Sequence, residues 1–536
     1  MAVAVLLAWL QTVPAAPDVA VVCPHEFRSA LEPWVTHRTA QGHQLEFVSS
    51  QGSADQIRAR LRKLARTGSL RFIVLIGDAD PAANKNAAIQ ARCVPTHKAP
   101  AKVNVHWGSE PELGTDNWYA DLDDDWLPDV AIGRITADTE TELKQVVAKT
   151  LSYERSPDMG HWRRQVNFVA GVGGFGVIAD KLLETAAKRL ITKGLPAGYE
   201  TSMTYASWRS VYCPNPLDFQ SETLNRLNNG CFAWIYMGHG HRDRLDSIHT
   251  PWGSAPVLEL RNIGQLNNSQ RVPIAIFFSC YAGAFDQETD CLAEEMLTHQ
   301  GAPVAVICGS RVTMPYAMTV YGISLLDEIF GQQRPTLGEI LLHSKQQLGT
   351  ARDDEQRKLL DSLATSLSPN PDLQAERLEH VQLFNLLGDP LLRIHHPQTI
   401  VVQAPQQTET GKTIEVAGQV PLAGTLTVEL ACRRDRLKFV PASRRPRGSS
   451  TPDWQAMNTT YRRANDHVWT SETCHVQRGT FRIKITVPGD AQGPSHVRCY
   501  LAGPTAFAIG AADVYVRRAG ERPSLAAQPN NKPIPR

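Results

Sequence analysis

Three things are scarce in this sequence of 536 residues, and each absence narrows its class. Its ten cysteines contain no CxxC pair, so a structural zinc site has no ligand pattern to rest on, and ten in this length do not make a disulfide scaffold. No apolar run approaches the roughly 20 residues that a membrane-spanning helix requires. Neither sign of charge dominates: 55 Lys and Arg stand against 54 Asp and Glu, leaving no global field to gather nucleic acid. Internal repeats and heptad or collagen periods are absent too, which excludes solenoids and long coiled coils. What remains is a globular chain, 42% hydrophobic and 20% charged, with length for roughly three to four domains.

The charge balance hides an asymmetry. Residues 401–536 carry 19 Lys and Arg against 10 Asp and Glu, leaving 36 and 44 for residues 1–400. A body of net −8 therefore precedes a region of net +9, which implies two modules with different roles. At the start, the apolar block 2–10 has the length of a signal peptide, with small residues around Val13-Pro14-Ala15 as a cleavage site. The usual positive segment before it is missing. Residues 1–16 are read as a signal peptide, with a buried first strand as the alternative. Export would permit disulfides, for which Cys432, Cys474 and Cys499 are candidate partners.

From Asp18 to about His396, short apolar runs alternate with amphipathic stretches. Strands are expected at 19–22, 72–76, 166–170, 232–237, 274–279 and 304–308, and helices at 55–66, 139–153, 179–192, 292–299 and 337–347. Apolar runs of five or six residues between helices indicate parallel strands buried on both faces, hence an α/β sheet with helices on both sides. Residues 81–127, rich in Asn, Asp, Pro and Trp, read as a long irregular insertion of a kind often functional. After His396 the helical pattern stops. Segments at 413–416, 425–430, 481–487 and 512–516 are β-branched and separated by Gly/Pro turns, a β-sandwich pattern. The expected domains are α/β subdomains at 17–157 and 158–396, a sandwich at 397–518 and a disordered tail at 519–536.

Two motifs carry less than their patterns promise. Gly171-Val-Gly173-Gly-Phe-Gly176 matches GxGxxG between a strand and a helix, the setting of a dinucleotide-binding turn. The acid that should end the next strand is not in place: Glu200 is nearest, and it begins a strand. A plain structural turn is the preferred reading. The stretch Asp121-Leu-Asp123-Asp-Asp125-Trp-Leu-Pro-Asp129 alternates carboxylates as calcium sites do, so Asp121, Asp123 and Asp125 are candidate ligands of a structural calcium. It is no EF-hand, since Trp126 and Ile132 occupy the glycine and glutamate positions. A solvated acidic loop is the default, and no cofactor is required.

Chemistry concentrates at two buried strands that end abruptly in small and reactive residues. One reads Cys231-Phe-Ala-Trp-Ile-Tyr-Met-Gly238-His239-Gly240-His241, the other Ile274-Ala-Ile-Phe-Phe-Ser279-Cys280-Tyr-Ala-Gly283. Ligands of open α/β sheets bind at the carboxyl ends of strands, where neighbouring strands would bring His239 and Cys280 together. A thiol needs a base or an imidazolium partner to become an effective nucleophile at neutral pH. Cysteines such as Cys231 and Cys308 fit the inert core role common for this residue; Cys280, at a strand exit beside Ser and Tyr, does not.

On these residues the sequence resembles the gingipain family of cysteine endopeptidases, which belongs with the caspase-like folds. "GHG" at 238–240 resembles the family's histidine motif and "SCYAGAFD" at 279–286 its nucleophile motif. "PDVAIGRI" at 128–135, the helix ending "YER" at 153–155, and "LFNLLGDPLLRI" at 383–394 follow the family's order. The resemblance spans about 18–396, with an immunoglobulin-like β-sandwich expected after it. It implies Cys280 as nucleophile, His239 as general acid/base, and the backbone amides of Gly240 and Cys280 as the oxyanion hole. It places Asp129 where an acid can orient the histidine, with Asp116 as the alternative. Glu142 falls where an acidic group would select Arg or Lys before the scissile bond, with Asp138 as its alternative and a plain solvated helical glutamate as the ordinary reading.

The expectation is an exported cysteine endopeptidase, secreted, periplasmic or at the cell surface, acting on proteins or peptides, with no nucleic acid partner and no membrane span. The alternatives are an inactive peptidase-fold binding protein and a dinucleotide enzyme using the 171–176 turn.

Overall fold

The expected alternation becomes, in the computed structural model, a ten-stranded sheet with helices on both faces. The structure describes residues 16–173, 191–192, 194–350, 354–367, 372–442, 444 and 453–520. Nearly all of the 1–16 leader, the end of the 171–176 turn, most of the helix read at 179–192 and most of the tail lie outside the described residues. The chain divides into two compact units: residues 1–156, 166–194 and 203–395 form the first, and 157–165, 195–202 and 396–536 the second.

Up to residue 387 the described strands are, in chain order, β1 (Val19–Val22), β2 (Leu45–Val48), β3 (Phe72–Ile76), β4 (His97–Pro100), β5 (Glu112–Thr115), β6 (Ala131–Ile135), β7 (Gln165–Ala170), β8 (Glu200–Tyr205), β9 (Ala233–Met237), β10 (Ser247–Thr250), β11 (Gly253–Pro256), β12 (Ile274–Phe278), β13 (Ala305–Gly309) and β14 (Phe384–Leu387). The sheet order is β2-β1-β3-β6-β14-β13-β12-β9-β7-β8, while β4–β5 and β10–β11 form separate hairpins. β14 pairs antiparallel with β13, Val306 facing Leu387, and meets β6 through Leu387 and Arg134.

Burial on both faces explains the unbroken apolar runs. In β1, Val19 and Val21 pack with Trp34 of the helix Arg28–Ala40 and Leu143 of the helix Glu140–Arg155. Ala20 and Val22 point the other way, against Ile57 and Leu61 of the helix Ala54–Ala65.

Charged side chains tie the elements together from inside. Arg38, fully buried, meets Glu154 at 2.8 Å and Asp389 at 2.5 Å, and Trp34 donates to Asp389 at 2.5 Å. The "YER" and "GDP" motifs thus form one ionic knot with the first helix. Arg134 on β6, also fully buried, is gripped by both oxygens of Asp116 at 2.7 Å and donates to the Gly77 and Val94 carbonyls.

The second unit is a β-sandwich whose two sheets have six and three strands. Val416, Val428, Val497 and Val514 share its core. Two expectations fail here. A helix, Trp454–Asn465, interrupts the strands, with Met457, Tyr461 and Ala464 buried on one face and Asp453 capping its start. Cys432, Cys474 and Cys499 are free thiols. The strand Gly424–Cys432 runs between those carrying Cys474 and Cys499, holding them two strand spacings apart, about 10 Å, too far to bridge. Cys432 lies at the far end of that strand, opposite Ser495.

Because Asp116 is the carboxylate gripping Arg134, Asp116→Asn leaves a buried guanidinium uncompensated. The expected loss is about 3–5 kcal/mol of stability, read from urea unfolding. A loss below about 1 kcal/mol would show the pair to be dispensable.

Candidate active site

β9 and β12 run parallel in register from Ala233↔Ile274 to Met237↔Phe278. Both chains leave the sheet at the same level, and the Gly238 amide still donates to the Phe278 carbonyl at 3.3 Å. His239 and Cys280 each stand two residues past the last register pair. Glycine is required beside them: a Cβ on Gly240 would lie 2.4 Å from the Cys280 carbonyl oxygen and 2.7 Å from Ser279 Oγ. The histidine loop therefore rests directly on the Cys280 backbone.

Cys280 differs from the other thiols of this unit. It is half-buried, whereas the others are buried. Burial pushes Cys23 and Cys231 up to about 12 and Cys93 up to about 11, and raises Cys291 and Cys308 as well. Sγ of Cys280 instead accepts the Thr313 amide N–H at 3.3 Å, with the Thr313 hydroxyl 3.6 Å away. His239 Nε2 lies 3.2 Å from the Gly173 carbonyl oxygen. A carbonyl can only accept, so Nε2 is the donor in this contact. The Tyr236 hydroxyl, donating to the His239 carbonyl at 2.7 Å, fixes the loop from below.

One short helix, Leu292–Thr298, holds both loops: Leu292 N–H donates to the Arg242 carbonyl at 2.7 Å and Ala293 N–H to the Ala282 carbonyl at 3.0 Å. Within this helix Glu294 is fully buried, and its carboxyl is raised well above the usual range by burial and by Asp78 and Asp290. Asp78 is raised as well, by burial and by Asp138.

The acidic residues read as orienting or specificity groups have other partners in the structure. Asp129 precedes β6, its carboxylate accepts the Leu122 amide at 2.6 Å, and the structure does not bring it to His239. Asp116 is committed to Arg134. Among the described residues, a backbone carbonyl three positions past the end of β7, that of Gly173, contacts His239, and no pattern of acidic residues could reveal it. Glu142 completes a capping box with Thr139, its carboxylate accepting the Asp138 and Thr139 amides at 2.8 and 3.3 Å, and so faces its own helix start. Asp138, beside it, gives up its amide to that cap, and its carboxyl is raised by burial and by Glu142.

In the acidic loop, ligand atoms of Asp121, Asp123 and Asp129 lie within 4.8 Å of one another; Asp125 is outside this group, accepting the Leu127 amide at 2.8 Å. Asp121 already accepts the Asp124 and Trp126 amides and lies 3.5 Å from Arg58. Of the glycine turn, Gly173 serves His239, and residues 174–176 lie outside the described residues. Glu200 begins β8, away from the strand end where a ribose-binding acid stands.

A thiol and an imidazole delivered by adjacent parallel strands of an α/β sheet define the class of caspase-like cysteine peptidase folds. The model of peptidase family C25 matches residues 12–395, and the chain belongs to that family. Gingipain R2 of Porphyromonas gingivalis is 22% identical over 419 residues, covering 74% of this chain and 49% of the relative. Lys-gingipain of the same organism is 22% identical over 327 residues, covering 58% and 16%. The chain thus spans half or less of these relatives. The crystal structure of the Arg-specific cysteine proteinase gingipain R superposes with a TM-score of 0.52 over 94% of this chain and 98% of that one, at 16% identity, a likeness of fold.

The contrast among thiols is directly measurable. In the native protein, iodoacetamide at neutral pH is expected to label Cys280 and the half-buried Cys474, leaving the eight buried cysteines until unfolding. Peptide mass spectrometry reads the sites. Equal labelling of Cys231 or Cys308 would remove the distinction.

Proposed function

We propose that the chain is a cysteine endopeptidase in which Cys280 attacks the peptide carbonyl and His239 protonates the leaving amine, then activates water to free the acyl group. The backbone amides of Gly240 and Cys280 receive the developing oxyanion. The observation that carries this reading is the shared register of β9 and β12, which sets the two loops side by side with Gly240 against the Cys280 carbonyl. His239 works as a dyad partner oriented by the Gly173 carbonyl, without a carboxylate from Asp129 or Asp116.

Preference for Arg or Lys before the scissile bond is part of the proposal. It is supported by the names of two relatives, one an Arg-specific proteinase and one a Lys-gingipain, and by the net negative body. Glu142 has no part in it, its carboxylate being spent on the helix cap. Export also belongs to the proposal and rests on the apolar block 2–10. Among the described residues, no helix is long and apolar enough to cross a membrane.

Cys280→Ala and His239→Ala are each expected to lower peptide turnover by about 10³-fold or more with the fold retained. His241 is exposed, its amide bonded to the Arg244 carbonyl, and His241→Ala should keep most turnover. The reverse ranking of the two histidines would overturn the dyad. A peptide-library digest with the Cys280→Ala protein as blank reads the preference: enrichment of Arg or Lys is expected, and Glu142→Gln should leave it unchanged. Cleavage indifferent to basic residues would remove the preference and leave the dyad.

A further inference from the structure

Between β4 and β5 the chain makes an excursion that is anchored on the nucleophile's side of the sheet. Lys98 pairs with Asp286, and the Ser310 hydroxyl donates to the Gly114 carbonyl at 2.8 Å. Glu379 accepts the amides of Lys102, Val103 and Asn104 at 2.7, 2.7 and 2.8 Å, and the Asn104 side-chain amide donates to the Val312 carbonyl. These anchors deliver Glu110 to the two loops that carry Cys280 and His239. One oxygen of Glu110 accepts the Tyr281 hydroxyl at 2.8 Å, and the other accepts the Arg242 guanidinium at 2.8 Å.

Tyr281 directly follows the nucleophile and is strained. Its φ is +56°, a left-handed value costly for a bulky side chain. The Ala282 amide donates across it to the Cys280 carbonyl at 2.7 Å, the rare form of γ-turn. Its own amide donates to the Arg311 carbonyl at 3.2 Å, so the turn is held at the backbone and, through the hydroxyl, at the tip of the ring. Arg242, two residues past Gly240, lies over the Tyr281 ring at 5.7 Å. Arg311 approaches Glu110 at 3.6 Å while its fork is held by Asp286. Burial would raise Glu110, but the Tyr281 hydroxyl, its own backbone and the two arginines bring it below the usual range, so it stays ionised.

We propose that Glu110 is a positioning residue for the dyad: by holding the Tyr281 hydroxyl and Arg242 with one carboxylate, it fixes the strained turn after Cys280 and ties that turn to the histidine loop. This deepens the peptidase reading and rests on it. Pre-organisation of this kind acts on turnover, because small shifts of the Cys280 backbone displace both the sulfur and an amide proposed to receive the oxyanion.

The test compares wild type with Glu110→Gln, Tyr281→Phe and the double variant, with the exposed Glu112→Gln as control. Readouts are kcat and KM on a peptide that wild type cleaves, and the rate of Cys280 alkylation by iodoacetamide between about pH 5 and 9. Each single variant is expected to lower kcat about tenfold with KM within about twofold, and to shift the alkylation profile. The double variant should be no worse than the poorer single one, because both remove one strap. Tyr281→Phe removes a single oxygen and keeps the test alive should Glu110→Gln fold poorly. Three results would overturn the proposal: kcat within about twofold of wild type, multiplicative losses in the double variant, or a rise in KM at unchanged kcat, which would make Glu110 a substrate contact. A wild-type protein that cleaves no peptide counts against the peptidase reading alone, since the alkylation profile still reports on the strap.

Discussion

The structure depends first on the parallel pairing of β9 with β12. A slip of one residue would turn every side chain of β12 to the other face. Burial on both sides makes that prohibitive, for Ala275 and Phe277 belong to one core while Phe278 packs against Tyr321 and Phe384. The register that hydrophobic packing enforces is the same register that brings the loop of His239 against the backbone of Cys280. The alignment of the two loops is therefore inherited from the core, and local interactions only refine it.

Ionic contacts supply the refinement. Arg38 with Glu154 and Asp389, and Arg134 with Asp116, are buried pairs whose charges are matched by several donors and acceptors, the condition under which such pairs hold. They join segments distant in sequence: the first helix, the end of the helix Glu140–Arg155, and the turn after β14. Near the loops, Glu379 does similar work with backbone amides alone, giving shape to a stretch that has little regular structure of its own.

Much of this was legible in the sequence. The runs at 19–22 and 72–76 coincide with β1 and β3, and those at 232–237 and 274–279 with β9 and β12 to within a residue at each end, because strands buried on both faces leave uninterrupted apolar runs. Cys280 stood out through its place at a strand exit. The supporting groups did not stand out, for physical reasons. The Gly173 carbonyl and the Thr313 amide belong to the backbone, so no residue type announces them. Glu110 lies 171 positions before Tyr281 in a segment without periodicity. The helix Trp454–Asn465 leaves a weak signal because it buries only three residues and follows a basic, Pro/Ser-rich stretch of sequence. Asp129 misled because its neighbours resemble a family motif, while its carboxylate serves the acidic loop itself.

The last strand to be made has a consequence for how the protein comes into being. Among the described residues, β14 is the last strand of its sheet in sequence but the fifth across it, and it lies between β6 and β13. During synthesis the strands on either side of it can form separately, yet the sheet has a gap at its centre until residues 384–387 emerge. Glu379, the clamp for the excursion after β4, arrives only a few residues earlier. The loops around Cys280 therefore have their surroundings completed near the end of the α/β unit's translation. Chain order thus acts as a clock: incomplete chains lack the assembled centre of the sheet.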